Sequence, residues 1–179
     1  QIYIAGRVFA FLIGVKEPKF VVGYTGPEID LALNRGEVDA RAHLAGTVMQ
    51  RTPELLEKNL ADFHAILETP KGNRHPRFAH LPELESFAKS DRERRLLGLQ
   101  RALRLTGSTW ILPPGIAKEP AEIMQEAIRK AFKDPAFHEA YKKATGEDAT
   151  PVMPEDLQRI VKEVPRDPDL DRRVQGAGA

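Results

Sequence analysis

A glycine-rich turn followed by a helix start offers the clearest chemistry in this sequence. The segment "GYTGP", residues 23–27, follows the apolar run "KFVV" and precedes residues with a helical pattern. Free N–H groups and the helix dipole at a helix start favour a carboxylate or another anion. Two interpretations stay open: an anion site at this turn, or a tight turn whose helix dipole is already compensated by Glu28.

Other titratable residues form weaker patterns. Glu37 and Asp39 are two residues apart, so in a strand they would share a face, as a general acid/base pair or as caps of a turn. The five histidines have no spacing typical of a metal site, and the sequence contains no cysteine. It also lacks a P-loop, a Rossmann fingerprint and a Gly-x-Ser-x-Gly motif. We therefore expect no metal and no cofactor, and any catalysis would have to be unorthodox.

Charge and hydropathy exclude several classes of partner. The 179 residues include 27 basic and 26 acidic side chains, and a net charge of +1 gives no field that would attract nucleic acid. No apolar run reaches the roughly 18 to 20 residues that span a bilayer, so we expect no direct membrane insertion. The basic, leucine-rich residues 92–104 are typical of a helix packed by its leucines; contact with a membrane or phosphate is the alternative.

Strand-like and helix-like segments alternate along the first two thirds of the chain. Helices are predicted over residues 1–15, from Pro27 to Gly36, from Thr47 to Asn59 and from Asp91 to Leu105. Strands are predicted at residues 19–24, 37–45, 62–69 and 108–115, and a surface loop at 70–82. This alternation predicts an α/β fold with right-handed crossovers and a mostly parallel sheet. From Pro120 onward the pattern is helical, with Asp134 as an N-cap.

Three motifs in this order resemble a known family. "GYTGPEIDLALNRGEVDAR", "ILPPG" and "AIRKAFKDPAFHEAYKK" are similar to segments of the substrate-binding receptors of tripartite tricarboxylate transporters, also called Bug proteins. The similarity extends over roughly residues 19 to 164. It implies a periplasmic binding protein without catalytic activity, which binds a small carboxylate such as a di- or tricarboxylate and delivers it to membrane transporter subunits.

The resemblance also implies a fold and a set of ligand-binding residues. The fold would be a periplasmic-binding-protein type II-like lobe with a mostly parallel sheet flanked by helices, plus a helical C-terminal segment. Residues 1–105 would complete the second ligand-binding lobe, and residues 106–179 would form a crossover strand and helices that pack toward a first lobe missing from this chain. The implied ligand-binding residues are Tyr24, Thr25, Gly26, Arg41, His43, Gly46 and Thr47.

Two other functions compete with this interpretation. One is an α/β enzyme, a lyase or isomerase that uses Glu37, Asp39 or His43 on a carboxylated substrate. The other is a structural fragment that folds and binds nothing by itself.

Overall fold

The fold is built almost entirely from helices. The computed structural model describes residues 2–107, 109–145 and 148–164. The α-helices in these ranges are α1 Ile2–Ile13, α2 Gly26–Asn34, α3 Ala45–Arg51, α4 Glu54–Glu57, α5 Asp91–Thr106, α6 Lys118–Lys133, α7 Pro135–Thr145 and α8 Pro154–Glu163. Short 3₁₀ turns occupy Pro76–Phe78 and Leu84–Phe87.

The predicted α/β fold with a mostly parallel sheet is wrong. Within the described ranges, strand pairing is limited to one isolated parallel bridge between Ile66 and Glu83. There the Ile66 N–H donates to the Pro82 carbonyl at 3.0 Å, and the Leu84 N–H donates to the Ile66 carbonyl at 2.7 Å. This part of the chain is therefore not the lobe of a type II-like periplasmic binding protein.

The predicted strands fail because their backbones lack a neighbour. β-Branched residues favour an extended chain, but a strand is completed only when an adjacent segment takes its N–H and C=O groups. In the two most apolar segments, Val22 is 69% exposed and Ile111 is 86% exposed, so neither packs against a second layer. The residues after Gly36 are positioned by side-chain ion pairs instead, which are described below.

The helix predictions are confirmed where capping signals were present. At the start of α5, the Glu93 N–H donates to the Ser90 hydroxyl at 3.2 Å, and the Ser90 N–H donates to the Glu93 carboxylate at 3.0 Å. This reciprocal pair is a capping box. At the start of α7, the Asp134 carboxylate accepts a hydrogen bond from the Ala136 N–H at 2.8 Å, as expected for an N-cap residue.

Two small hydrophobic clusters hold the N-terminal helices together. The larger cluster joins α1 and α5 through Val8, Leu12, Leu84, Ala88 and Leu97. The smaller one joins α3 to the loop before α5 through Val48, Phe78 and Leu81. Segment 65–67 contributes to both clusters, so it connects them.

A buried arginine ties the loop before α5 to that helix. Arg101 is 9% exposed, and its guanidinium donates to the Glu68 carbonyl at 3.0 Å, to Glu85 at 2.9 Å and to Glu83 at 2.6 Å. Lys71 also reaches Glu85 at 2.8 Å. The Glu83 and Glu85 carboxylates thus each have a cationic partner, and they compensate the buried charge of Arg101.

The C-terminal helices are more weakly attached. α6, α7 and α8 contain no buried residue, and the contacts that join them to the rest include those between α5 and α8. No helix in the described part of the chain has the length and apolar content of a membrane span. The division of the chain near residue 105 stays a prediction, and residues 165–179 of its second part lie outside the described residues.

Replacing Leu97 with alanine should destabilise the fold by about 2 to 5 kcal/mol, because a fully buried leucine leaves a cavity between α1 and α5. Urea unfolding monitored by circular dichroism measures the change. Leu60→Ala is the matched control, since Leu60 is 61% exposed and should change stability by no more than about 0.5 kcal/mol. Equal losses in the two variants would show that this cluster is not the core.

Candidate functional site

The start of α2 is capped by the chain itself. Thr25 precedes the helix with an extended backbone, and Pro27 lies in the first turn, where its missing N–H costs nothing. The Glu28 carboxylate accepts a hydrogen bond from the Thr25 N–H at 2.6 Å. Hydrogen bonds from the Thr25 side chain and backbone lower the pKa of Glu28. The interpretation in which Glu28 compensates the dipole therefore fits the geometry, and the helix tip alone is not the site.

The buried carboxylate of Asp30, one turn further along α2, forms ion pairs with two arginines. Asp30 is 8% exposed and lies on the inner side of the helix. Its Oδ1 accepts a hydrogen bond from Arg41 Nη1, and its Oδ2 accepts one from Arg51 Nη2 at 2.5 Å. Asp30 thus joins α2, the irregular segment before α3, and the end of α3.

Arg41 is held on several sides. Its side chain is 3% exposed, and Nη1 also lies 3.3 Å from the Gly26 carbonyl. Its Nη2 is buried and has no hydrogen-bond acceptor among the described residues. Burial lowers the pKa of Arg41, and the Asp30 charge opposes that change, but a guanidinium stays charged at any ordinary pH. Arg41 therefore carries a buried positive charge, and its Nη2 donors have no acceptor among the described residues.

His43 faces the same carboxylate as a neutral ring. Its Nδ1 accepts a hydrogen bond from the Leu44 N–H at 2.9 Å, so the ring proton belongs on Nε2. Nε2 lies 3.3 Å from Asp30 Oδ1 but is not aligned for a hydrogen bond. Burial, followed by the positive charge of Arg41, lowers the pKa of His43, while Asp30 acts in the opposite direction.

The structure brings together three of the seven ligand-binding residues predicted from sequence. Gly26, Arg41 and His43 surround Asp30, whereas the other four lie outside this cluster. Thr25 caps α2, and the exposed Tyr24 hydroxyl lies 3.5 Å from the Glu37 carboxylate. Gly46 and Thr47 lie in the first turn of α3, and no hydrogen bond or ion pair described here connects them to Asp30.

Sequence reasoning missed Asp30, Arg51 and Thr52. Arg51 is close to the helix start, because a Cβ on Gly26 would lie 3.2 Å from its Nη1. Thr52 is 5% exposed, and its hydroxyl has no hydrogen-bond partner among the described residues. The available signal was the pair of basic residues Arg41 and His43 two apart, because basic side chains on one face need a counter-charge when that face is buried.

The cluster around Asp30 combines one buried carboxylate with two guanidinium groups and a histidine ring. Two guanidinium groups share one carboxylate, so Arg41, Arg51 and Asp30 together carry one excess positive charge. Glu37 and Asp39, the predicted acid/base pair, are both exposed. Glu37 forms an ion pair with Arg35 at 3.7 Å. Within the described residues, no three metal-ligating side chains form a group that could hold an ion.

Replacing Asp30 with asparagine should destabilise the protein by about 3 to 5 kcal/mol, because Arg41 would be left as a buried charge without its partner. Urea unfolding at pH 7 measures the loss. Asp148→Asn is the matched control: its ion pair with Lys142 has side chains that are 75% and 62% exposed, so it should cost less than about 1 kcal/mol. If Asp30→Asn is as harmless as the control, Asp30 does not organise the cluster.

Stability should rise with pH just below the ordinary histidine pKa of 6.5. The folded state holds His43 at a lowered pKa, so in that window the unfolded chain binds one more proton, and raising the pH favours the folded state. Urea midpoints of the parent and of His43→Gln between pH 5 and 7.5 check this. The variant should show a flatter pH dependence, whereas Leu60→Ala, at an exposed position that carries no titratable group, should retain the parent's slope.

Comparisons with protein-family models, with curated proteins and with solved structures give no match to this chain. The resemblance to receptors of tripartite tricarboxylate transporters thus rests on the three sequence motifs alone and stays a prediction. The charges and contacts around Asp30 are therefore the basis on which a function can be inferred.

Proposed function

We propose that this chain binds a small organic carboxylate as an extracytoplasmic receptor and delivers it to the membrane subunits of a tripartite tricarboxylate-type transporter. The observation that carries binding is the excess positive charge at Asp30, where Arg41 and Arg51 share one buried carboxylate. The three motifs support the transport role and the periplasmic location. No catalytic residue, metal or cofactor is part of the proposal.

The electrostatics of this cluster favour an anionic ligand. Asp30 neutralises one of the two guanidinium charges, and a bound carboxylate would neutralise the other. Charge-assisted hydrogen bonds between arginine and a carboxylate are shorter and stronger than neutral ones, and the guanidinium fork matches the two carboxylate oxygens. Partial burial reduces the screening by water and salt. A small carboxylate is therefore the ligand class that best completes the cluster.

The proposal does not depend on closure of two α/β lobes. The described residues form no sheet, so the site must be assembled by helix packing and by the ion pairs at Asp30. The Gly26 carbonyl and Asp30 hold Arg41 in place before any ligand arrives. Such preorganisation lowers the entropy that binding has to overcome.

Thermal-shift screening against organic acids tests the proposal directly. A ligand at 100 times its dissociation constant stabilises the folded state by about 2.7 kcal/mol, which is readily detected in a protein of this size. Each acid is compared with sodium chloride at equal ionic strength, so that general salt effects cancel. Consumption of the acid during incubation would instead support the competing lyase or isomerase, and the absence of any shift would contradict a receptor.

Gly26→Val should weaken carboxylate binding more than it weakens folding. A Cβ at this position would lie 3.2 Å from Arg51 Nη1, so valine must displace the guanidinium. Losing one charge-assisted hydrogen bond lowers affinity by about ten- to a hundredfold. Isothermal titration calorimetry, run well below the melting temperature of the variant, measures the change. Gly98→Val is the matched control, because a Cβ at this helical glycine has open space around it.

A further inference from the structure

One side of α6 is an apolar stripe that the fold leaves exposed to solvent. Ile123 is 62% exposed and Met124 is 43% exposed, and α6 contains no buried residue. Amphipathic helices gain most of their stability in a protein by burying such a side. The α6 stripe consists of exposed residues one to four positions apart that lie on the same side of the helix: Pro120, Ile123, Met124, Ala127 and Ala131.

The neighbouring helices cover other sides of α6. Phe132 packs against Phe137 of α7, with the ring centroids 5.5 Å apart. Arg129 forms an ion pair with Glu155 of α8 at 2.5 Å. Neither Phe132 nor Arg129 belongs to the α6 stripe, because both lie more than a quarter turn away from Ile123 around the helix. Among the described residues, α7 and α8 therefore leave the stripe exposed.

The charges along α6 are complementary to those of a second α6. After Lys118, the first half of the helix is acidic and its last turn is basic, with Glu119, Glu122 and Glu126 followed by Arg129, Lys130 and Lys133. Two such helices attract each other when they lie antiparallel, because the acidic half of each then faces the basic half of the other. A parallel pair would bring like charges together. The charge pattern therefore favours a second copy of the chain, in antiparallel orientation.

We propose that the α6 stripe is a dimerisation surface, on which a second copy of this chain packs its own α6 in antiparallel orientation. A lipid surface fits the same stripe less well, because helices that lie on membranes usually have lysine and arginine along their polar side. Here Glu119 and Glu126 border the stripe instead. The dimerisation surface includes none of the residues around Asp30, so this inference goes beyond the proposed carboxylate binding and does not depend on it.

The spacing of the stripe defines how the two helices would meet. Ile123 and Ala127 are four residues apart, so about a two-fold axis each Ile123 packs against Ala127 of the second copy, a large side chain against a small one. In the same register, Glu119 of each copy lies opposite Lys133 of the other. Glu126 lies near the axis and close to its own copy, and Lys130 of the same chain, 3.8 Å away, offsets that repulsion.

Sedimentation velocity of the 179-residue chain tests the surface. One helix pair is a small interface, so we expect the average mass to rise from that of one chain to that of two between about 1 μM and about 1 mM. Ile123→Glu should weaken self-association at least about tenfold, because it places a charge at the centre of the contact. Leu31→Glu is the matched control: Leu31 is 47% exposed on α2, and its substitution should leave self-association unchanged.

A pair of charge reversals tests the antiparallel orientation. Glu119→Lys and Lys133→Glu should each self-associate severalfold more weakly than the parent, because each variant alone brings like charges together at both ends of the contact. An equimolar mixture of the two variants restores opposite charges at both ends, so it should recover the dimer mass of the parent. Far-ultraviolet circular dichroism of each variant checks that the helices are retained.

Several outcomes would overturn the inference. A chain that stays single at about 1 mM has no such surface. Equal losses in Ile123→Glu and Leu31→Glu would place self-association elsewhere, and a mixture of the charge variants that stays as weak as each alone would exclude the antiparallel pair. If the chain stays single but sediments with vesicles of phosphatidylcholine and phosphatidylglycerol, and Ile123→Glu abolishes that binding, the α6 stripe is a lipid-binding surface instead.

Discussion

The burial of one carboxylate, that of Asp30, constrains everything around the candidate site. A charged group can leave water only when opposite charges and hydrogen bonds compensate its lost hydration. Asp30 meets this condition by drawing in Arg41 from the irregular segment and Arg51 from the end of α3. The segment before α3 has no backbone ladder, so these ion pairs determine its path. The same contacts leave the site with a positive charge and unused donors.

Local signals in the sequence were sufficient for the helices but not for the architecture. Ser90 with Glu93, and Asp134 with Pro135, specify helix starts through bonds within four residues, which a linear sequence displays. A sheet depends on which distant segments meet, and side-chain composition does not contain that information. The apolar residues around Val22 and Ile111 predict buried strands because β-branched residues and burial usually coincide, yet both side chains are exposed.

The candidate site was predictable in part for the same reason. Gly26 follows from the turn, and the resemblance pointed to Arg41 and His43 two residues apart. Asp30 was overlooked because it is surrounded by the apolar residues of α2, in a pattern that conceals a charge facing inward. Arg51 lies 21 residues away from Asp30, and only the packing of α3 against α2 brings the two together. Side-chain pairing over such a separation is a property of the tertiary fold.

Arg101 lies outside the candidate site, yet it bears on how this chain tolerates change in its length. Its guanidinium binds the Glu68 carbonyl on one side of the loop and the Glu83 and Glu85 carboxylates on the other. Both ends of the loop are therefore anchored to α5 independently of the residues between them. The residues between these ends are held as well, because the Gly72 N–H and the Arg74 guanidinium donate to the Glu68 carboxylate at 3.0 and 2.9 Å. Changes in the length of this loop should therefore be poorly tolerated, at its middle as well as at its ends.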